Sequence, residues 1–123
     1  MKPGGNIIIV SECSEGLGSA EFVDSQSRLV NLGPEAFLKS LLEKPRADVD
    51  EWQTEMQLRP MGVAQINLFS RRLSIQDKTL TAANCQENNQ TADEFIANII
   101  GSSATGDIAI IPEGPYVIPR FNP

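Results

Sequence analysis

The chain has 123 residues, of which 41% are hydrophobic and 21% charged, a balance typical of one globular domain. Its net charge of −6 argues against a nucleic-acid partner, because contact with a phosphate backbone needs a basic face. No apolar run approaches the roughly 18 residues of a membrane span, and the aliphatic run near the N-terminus is too short for a signal peptide. We therefore expect a single cytoplasmic domain over residues 1–123.

The residue types that are missing limit the chemistry of the chain. Histidine is absent, which removes the commonest general base and the commonest metal ligand. Two cysteines, Cys13 and Cys85, make no disulfide framework, and we expect both to be reduced. A thiolate at Cys13 would have no histidine partner and would be disfavoured by the glutamates beside it. We therefore predict no catalytic residue and no metal ligand in this chain.

Three short aliphatic runs predict β-strands, at residues 6–11, 65–70 and 107–111. Their length and β-branched content suit strands, and the first and third lack alternation, as expected where both faces of a parallel sheet are covered. Helical patterns separate them, at residues 19–32, 34–44, 48–63 and 91–101.

The helix boundaries carry recognisable end signals. Gly33 and Pro34 predict the end of the first helix and the start of the second, and Pro60 predicts a kink in the third. The patterns Asp50 to Gln53 and Thr91 to Glu94 each predict a capping box. Glu51 and Glu55 are interpreted as a solvated helix face. The apolar residues expected to face inward are Phe22, Leu29, Val30, Phe37, Leu38, Leu41, Leu42, Phe95, Ile96, Ile99 and Ile100.

This alternation of elements predicts an α/β fold, a Rossmann-like layer sandwich. Its sheet is expected to be small and mostly parallel, with three to five strands flanked by helices. The crossovers should be right-handed. Three strands are fewer than the usual five or six. Either a further strand lies within residues 73–90 or 116–118, or the chain is a fragment of a larger, two-domain protein.

The segment from Glu12 to Gly18 follows the first strand, where open α/β sheets bind ligands. It looks at first like a nucleotide loop, but Glu21 stands where the dinucleotide fingerprint needs a third glycine. Glu12 and Glu15 would also repel a phosphate. The loop is then either a simple turn from strand to helix with solvated glutamates, or a contact with another ligand or a partner domain. Trp52 is either a core anchor or a ligand contact.

The order of these motifs resembles a known family. The stretch KPGGNIIIVSECSEGLGSAEF is similar to the start of the C-terminal domain of the nickel-dependent lactate racemase family. The resemblance continues through residues 50–53, the strand at residues 66–70 and the ending at residues 111–116, so it covers nearly the whole chain.

The resemblance implies a two-domain racemase or epimerase of 2-hydroxy acids, which passes a hydride to and from a nickel-pincer cofactor derived from nicotinic acid. That cofactor and its histidines belong to the N-terminal domain of the family. The Gln and Lys that the family's C-terminal domain offers to the substrate lie on a helix before the Gly-Gly, whereas this chain begins at Met1. Trp52 matches the tryptophan that approaches the substrate pocket in the family.

We therefore expect a cleft-forming domain that is inactive alone, holds no cofactor itself, and has as partners the N-terminal domain of the parent and a 2-hydroxy acid at the inter-domain cleft. The residues expected at the substrate pocket or domain interface are Glu12, Cys13, Ser14, Glu15, Gly16, Gly18 and Trp52.

A different class of protein fits the same residues: a non-catalytic α/β module that binds a protein partner or a small anion through the same loop. A wholly polar surface beside the loop would favour this module, and an exposed apolar patch would favour a domain interface.

Overall fold

The computed structural model describes residues 3–103, 106 and 108–114. Its elements follow one another as β1 (Gly5–Val10), α1 (Ala20–Leu32), α2 (Pro34–Leu42), α3 (Glu51–Met61), β2 (Ala64–Phe69), α4 (Ile75–Leu80), β3 (Asn84–Cys85) and α5 (Ala92–Ser102). The further strand considered at residues 116–118 lies outside the described residues.

The sheet is parallel and has the order β1-β2-β3. β1 and β2 pair over their whole length, from Gly5 opposite Ala64 to Val10 opposite Phe69, while β3 adds only two residue pairs. The predicted α/β fold with a small parallel sheet flanked by helices is confirmed. Within the described residues, no strand pairs with the other edge of β1.

The prediction of the third strand at residues 107–111 is wrong for the part that the structure describes. Residues 108–111 form no strand there, and their isoleucines are exposed, so they bury little apolar surface in this arrangement. The third strand is Asn84–Cys85, inside the segment 73–90 that the sequence left open. Its two residues are too few, and too polar at Asn84, to give an aliphatic signal.

Local end signals set most helix boundaries as predicted. Ser19 caps α1 by accepting a hydrogen bond from the backbone of Phe22 at 3.1 Å. Gly33, with φ of 81°, separates α1 from α2, which begins at Pro34. A left-handed residue is needed there, and glycine adopts that conformation without strain.

The two predicted capping boxes have different outcomes. The box at Thr91 and Glu94 forms with both of its hydrogen bonds. The box at Asp50 does not, because Asp50 has φ of 61° and its side chain caps no backbone N–H. Its carboxylate instead accepts hydrogen bonds from the Ser19 hydroxyl at 2.5 Å and from the Gln53 amide at 3.0 Å.

The inward faces of the helices are only partly as predicted. Leu29 and Phe37 are fully buried. Val30, Leu38 and Leu42 are exposed, so their predicted inward position is wrong. In α1 the buried face beside Leu29 is taken by the polar residues Ser25 and Gln26, which an apolar pattern does not find. Ile100 on α5 is exposed as well, while Phe95 and Ile99 are buried.

One face of the sheet is covered by α5. Phe69 packs against Phe95, with ring centroids 6.0 Å apart, and Ile99 completes this core cluster with Ile8 and Ala92 at its border. α1 contacts α2, α3 and α4, and α3 also contacts β2. Because β1→β2 and β2→β3 step in the same direction, the right-handed rule places these connecting helices together on one face of the sheet.

A row of asparagines crosses the sheet on the α5 face. The side chain of Asn67, 1% exposed, donates to Asn6 Oδ1 at 3.0 Å and accepts from Asn84 Nδ2 at 2.9 Å. Asn6 in turn donates to the hydroxyl of Ser103 at 3.0 Å. The amide row therefore joins all three strands and fastens the end of α5 to the start of β1.

Replacement of Asn67 by alanine tests this row. Asn67→Ala leaves the amides of Asn6 and Asn84 without their shared partner, so the free energy of unfolding should fall by about 1–3 kcal/mol in a urea titration. Gln65→Ala is the matched control, because Gln65 is an exposed amide on the same strand and should change stability by less than about 0.5 kcal/mol. Equal effects of the two variants would contradict the role of the row.

Candidate functional site

The candidate site lies at the carboxyl edge of the sheet, where residues 11–18 connect β1 to α1. The loop is fastened to the end of β2: the backbone N–H of Ser11 donates to the Phe69 carbonyl at 3.0 Å, and the hydroxyl of Ser70 donates to the Glu12 carbonyl at 2.9 Å. A turn follows, in which the N–H of Gly16 donates to the Cys13 carbonyl at 3.0 Å. The loop therefore has a defined backbone.

Its backbone uses left-handed conformations at three positions, with φ of 50° at Cys13, 67° at Gly16 and 102° at Gly18. The two glycines adopt these angles without the clash of a Cβ atom, which accounts for their place in the motif. Ser14 and Glu15 are exposed, and Cys13 is half-buried. The loop thus presents its backbone and small side chains outward.

Glu12 is paired within the chain, and Glu15 is not. The Nε of Arg72 donates to Glu12 Oε2 at 3.1 Å, and both side chains are mostly exposed, so this ion pair contributes little to stability. Within the described residues Glu15 has no hydrogen bond and no ion pair. Its carboxylate is available to a partner.

Trp52 is 59% exposed, which rules out the core-anchor interpretation within this domain. It lies in the first turn of α3, and the hydrogen bond from Ser19 to Asp50 holds the start of α3 against the start of α1, directly after the loop. Met56, one helical turn beyond Trp52, is 61% exposed, and Val10, the residue before the loop, is 56% exposed. The structure thus places Trp52 and the loop at the same edge of the sheet.

An ion cluster around the buried carboxylate of Glu51, completed by the partly exposed side chains of Arg28, Lys44 and Asp48, lies directly beside Trp52. The Glu51 carboxylate is 2% exposed and accepts hydrogen bonds from Arg28 Nη2 at 2.5 Å, Lys44 Nζ at 2.9 Å and the Asp48 backbone at 2.9 Å. Lys44 also pairs with the side chain of Asp48. The interpretation of Glu51 as a solvated residue is therefore wrong. Its partners come from other segments, so the spacing of charges along α3 gave no signal of it.

The cluster determines the titration of Glu51. Burial alone would raise the pKa of this carboxyl, but the hydrogen bonds from Lys44, the Asp48 backbone and Arg28 outweigh burial and lower its pKa from 4.5 to about 2. The same contacts raise the pKa of Lys44, mainly through Asp48 and then Glu51. Arg28 further lies 5.6 Å from the centroid of the Phe37 ring. The cluster therefore joins α1, α2 and α3.

A polar cavity of about 300 Å³ lies beyond the carboxyl ends of β2 and β3. Arg71 and Lys78 line it together with the amides of Gln86, Asn88 and Gln90, and neither cation forms an ion pair within the described part of the chain. The sequence did not predict any of these residues as part of a site, because each is a polar residue in an aperiodic segment.

The residues of this chain do not fit a nickel site. The sequence has no histidine, and in the described segments no three Cys, Asp or Glu side chains lie close enough together to hold a metal ion. Among the described helices, none has both the length and the apolar character to cross a membrane.

The fold and the site together define an α/β domain. The carboxyl edge of its sheet carries an outward-facing loop of small residues and an exposed tryptophan. The family model for the lactate racemase C-terminal domain matches residues 1–118. The chain belongs to this family. Comparison with curated proteins returned no match, and comparison with solved structures returned none either.

The low pKa of Glu51 predicts a pH dependence of stability. A carboxyl whose pKa falls from 4.5 to about 2 on folding stabilises the fold above pH 4.5, and this stabilisation is lost as the pH falls through about 2. The shift corresponds to about 3 kcal/mol. Urea titrations of the wild type between pH 7 and pH 3 should show about 2 kcal/mol of this loss, and Glu51→Gln should remove most of the slope.

Glu55→Gln is the control for this measurement, since Glu55 is an exposed glutamate on the same helix and should leave the slope unchanged. If Glu51→Gln keeps the full acid sensitivity of the wild type, the ion cluster is not its source.

Proposed function

We propose that this chain is the substrate-closing domain of a 2-hydroxy acid racemase or epimerase, and that residues 1–123 form that one domain. The observation that carries the proposal is the joint exposure of Trp52 and of the loop at the carboxyl edge of the sheet, in a chain of the lactate racemase C-terminal family. In this proposal, the edge faces the N-terminal domain of the parent protein across a cleft that holds the substrate.

The chemistry of the edge suits such a cleft. Trp52 offers a large apolar face that would exclude water from the reacting carbon and restrict the orientation of a small hydroxy acid. The loop offers backbone groups and the free carboxylate of Glu15 to the facing domain, and Glu12 is already held by Arg72. A loop of this kind can approach a partner closely because Gly16 and Gly18 carry no side chain.

In the same proposal, the nickel-pincer cofactor belongs to the N-terminal domain, and the isolated chain has no racemase activity. The parent is cytoplasmic. Every reactive group would then come from the partner domain, consistent with a chain that contains no histidine.

The alternative is the binding module that recognises a protein or a small anion without catalysis. Its expected surface beside the loop is wholly polar, whereas Val10, the residue before the loop, and Trp52, in the first turn of α3, are each more than half exposed. Exposed apolar side chains of this size favour a contact with another domain, so they support the racemase domain over the binding module.

Replacement of Trp52 tests the proposed role in the two-domain parent. Trp52→Ala should lower kcat for racemisation at least about tenfold, because the cleft would admit water and hold the substrate loosely. Since Trp52 is largely exposed in the domain, the melting temperature of the variant should remain close to that of the wild type. The rate is followed by the change in optical rotation of the hydroxy acid.

Val63→Ala is the matched control, because Val63 is an exposed apolar residue at the opposite, amino edge of the sheet, where its carbonyl accepts a hydrogen bond from Gly4. It should keep the wild-type rate. A Trp52→Ala enzyme with unchanged kcat and KM would overturn the proposed role.

Metal analysis of the purified 123-residue chain provides a separate test. We expect less than about 0.1 nickel per chain after dialysis, because the chain lacks imidazole ligands, and no racemisation by the chain alone. Tightly bound nickel in stoichiometric amount would contradict the assignment of the cofactor to the other domain.

A further inference from the structure

We infer that the polar cavity beyond the carboxyl ends of β2 and β3 binds a small organic acid that carries one carboxylate and several hydroxyl groups. Among the described residues that line this cavity, none belongs to the loop at residues 11–18, and Trp52 does not line it either. This chain alone forms the cavity, so the inference does not rest on the proposed function, whose cleft needs a second domain.

The position of the cavity is the first observation. It lies where the residues after β2, helix α4 and the residues after β3 come together. Open α/β sheets bind ligands beyond the carboxyl ends of their strands. Phe69 and Gln86, which are only 5% and 9% exposed, both line the cavity, so it reaches down to packed residues of the domain.

The walls of the cavity are held by hydrogen bonds within the chain. The amide of Gln86 accepts from the backbone N–H of Ser70 at 3.2 Å and donates to the Ser70 carbonyl. The turn at residues 87–90 is closed twice: the N–H of Gln90 donates to the Glu87 carbonyl at 3.2 Å, and the N–H of Glu87 donates to Gln90 Oε1 at 3.2 Å. The site is therefore formed before a ligand arrives, which lowers the entropic cost of binding.

The charges on the cavity wall favour a singly charged anion. Arg71 and Lys78 line the cavity and form no ion pair within the described residues, whereas the neighbouring Arg72 is already paired with Glu12. The carboxylate of Glu87 also lines the cavity, so the wall carries one net positive charge. One carboxylate neutralises this charge, but a dianion such as phosphate would leave an excess of negative charge.

The size and the amides of the cavity favour an acid with hydroxyl groups. A volume of about 300 Å³ is about ten times the roughly 30 Å³ of one water molecule, so acetate or inorganic phosphate would fill only part of it. Asn88 and Asn89 line the cavity, and their side-chain amides make no hydrogen bond to the described part of the chain. An amide both donates and accepts, as a hydroxyl group does, so these side chains can bind the hydroxyl groups of the acid.

A series of matched ligands tests the inference, by NMR titration of the 123-residue chain at constant ionic strength. The ligands are threonate, butyrate, threitol and inorganic phosphate. Butyrate has the carbon chain of threonate without its hydroxyl groups, and threitol has the hydroxyl groups without a carboxylate. Threonate should saturate the cavity, with chemical-shift changes at residues 69–71, 78 and 86–91. It should bind at least about tenfold more tightly than each of the others, because only threonate makes both the charged and the neutral hydrogen bonds.

Four outcomes overturn the inference. Phosphate that binds more tightly than threonate would show that the cavity selects a dianion. Butyrate that binds as tightly as threonate would show that the amides recognise no hydroxyl group. Threonate that does not saturate, or that shifts residues 11–18 in place of the cavity residues, would show that the acid is not bound here.

Variants of the cavity provide an independent measurement. Arg71→Gln and Lys78→Gln should each weaken threonate binding at least about fivefold, because each removes a charge-assisted contact. Glu87→Gln should tighten binding about threefold, because it removes the like charge from the wall. A gain of affinity of this kind cannot come from a damaged fold.

Lys39→Gln is the matched control, because the side chain of Lys39 is 77% exposed on α2 and does not line the cavity. It should leave threonate affinity within about twofold of the wild type, since exposed charges at a distance are screened by salt. Equal weakening by Lys39→Gln and Arg71→Gln would indicate general attraction to a basic surface and contradict the site. None of these results bears on the effect of Trp52→Ala on turnover.

Discussion

The buried carboxylate of Glu51 is the contact on which the arrangement of the helices depends. It receives hydrogen bonds from Arg28 of α1 and from Lys44 and Asp48 of the segment between α2 and α3, so a single charge joins α1 and this connecting segment to α3. A buried charge costs several kcal/mol of desolvation, which only such a complete set of partners offsets. Loss of one partner would leave the carboxylate uncompensated. Because Trp52 is the next residue, the same cluster also determines where the exposed indole is presented.

The sequence predicted those parts of the fold that depend on neighbouring residues. The first two strands, the junction at Gly33 and Pro34, and the capping box at Thr91 are all determined by local sequence, since backbone conformation and end capping act over three or four residues. Contacts between distant segments were not predictable. The ion cluster and the amide row join residues up to 97 positions apart in the chain, and no periodicity signals them. β3 was not predicted, because its position depends on pairing with β2 and not on its own composition.

Some features of the candidate site could likewise be predicted from the sequence, and others could not. The loop between β1 and α1 could be predicted, because the carboxyl ends of parallel strands are where α/β sheets bind ligands. The pairing of Glu12 with Arg72 and the exposure of Trp52 required the structure, since both follow from how α3 and β2 pack. Arg71 and Lys78 share a cavity only because the turn after β2 and helix α4 fold together. The sequence therefore predicted a candidate edge, and the tertiary packing determines which side chains are presented there.

The amide row has a further consequence, for the choice of strand alignment during folding. Three consecutive isoleucines in β1 bury nearly equal apolar surface if the strand slides by two residues along β2, so hydrophobicity distinguishes these alignments poorly. A slide of this kind would leave the interior amide of Asn67 without Asn6, at a cost that the apolar contacts cannot offset. It would also carry the glutamate loop about 6.6 Å along the strand direction. Asn6, at the amino end of β1, thus sets the alignment of β1 with β2 and thereby the distance by which the loop at the carboxyl end of β1 extends beyond the sheet.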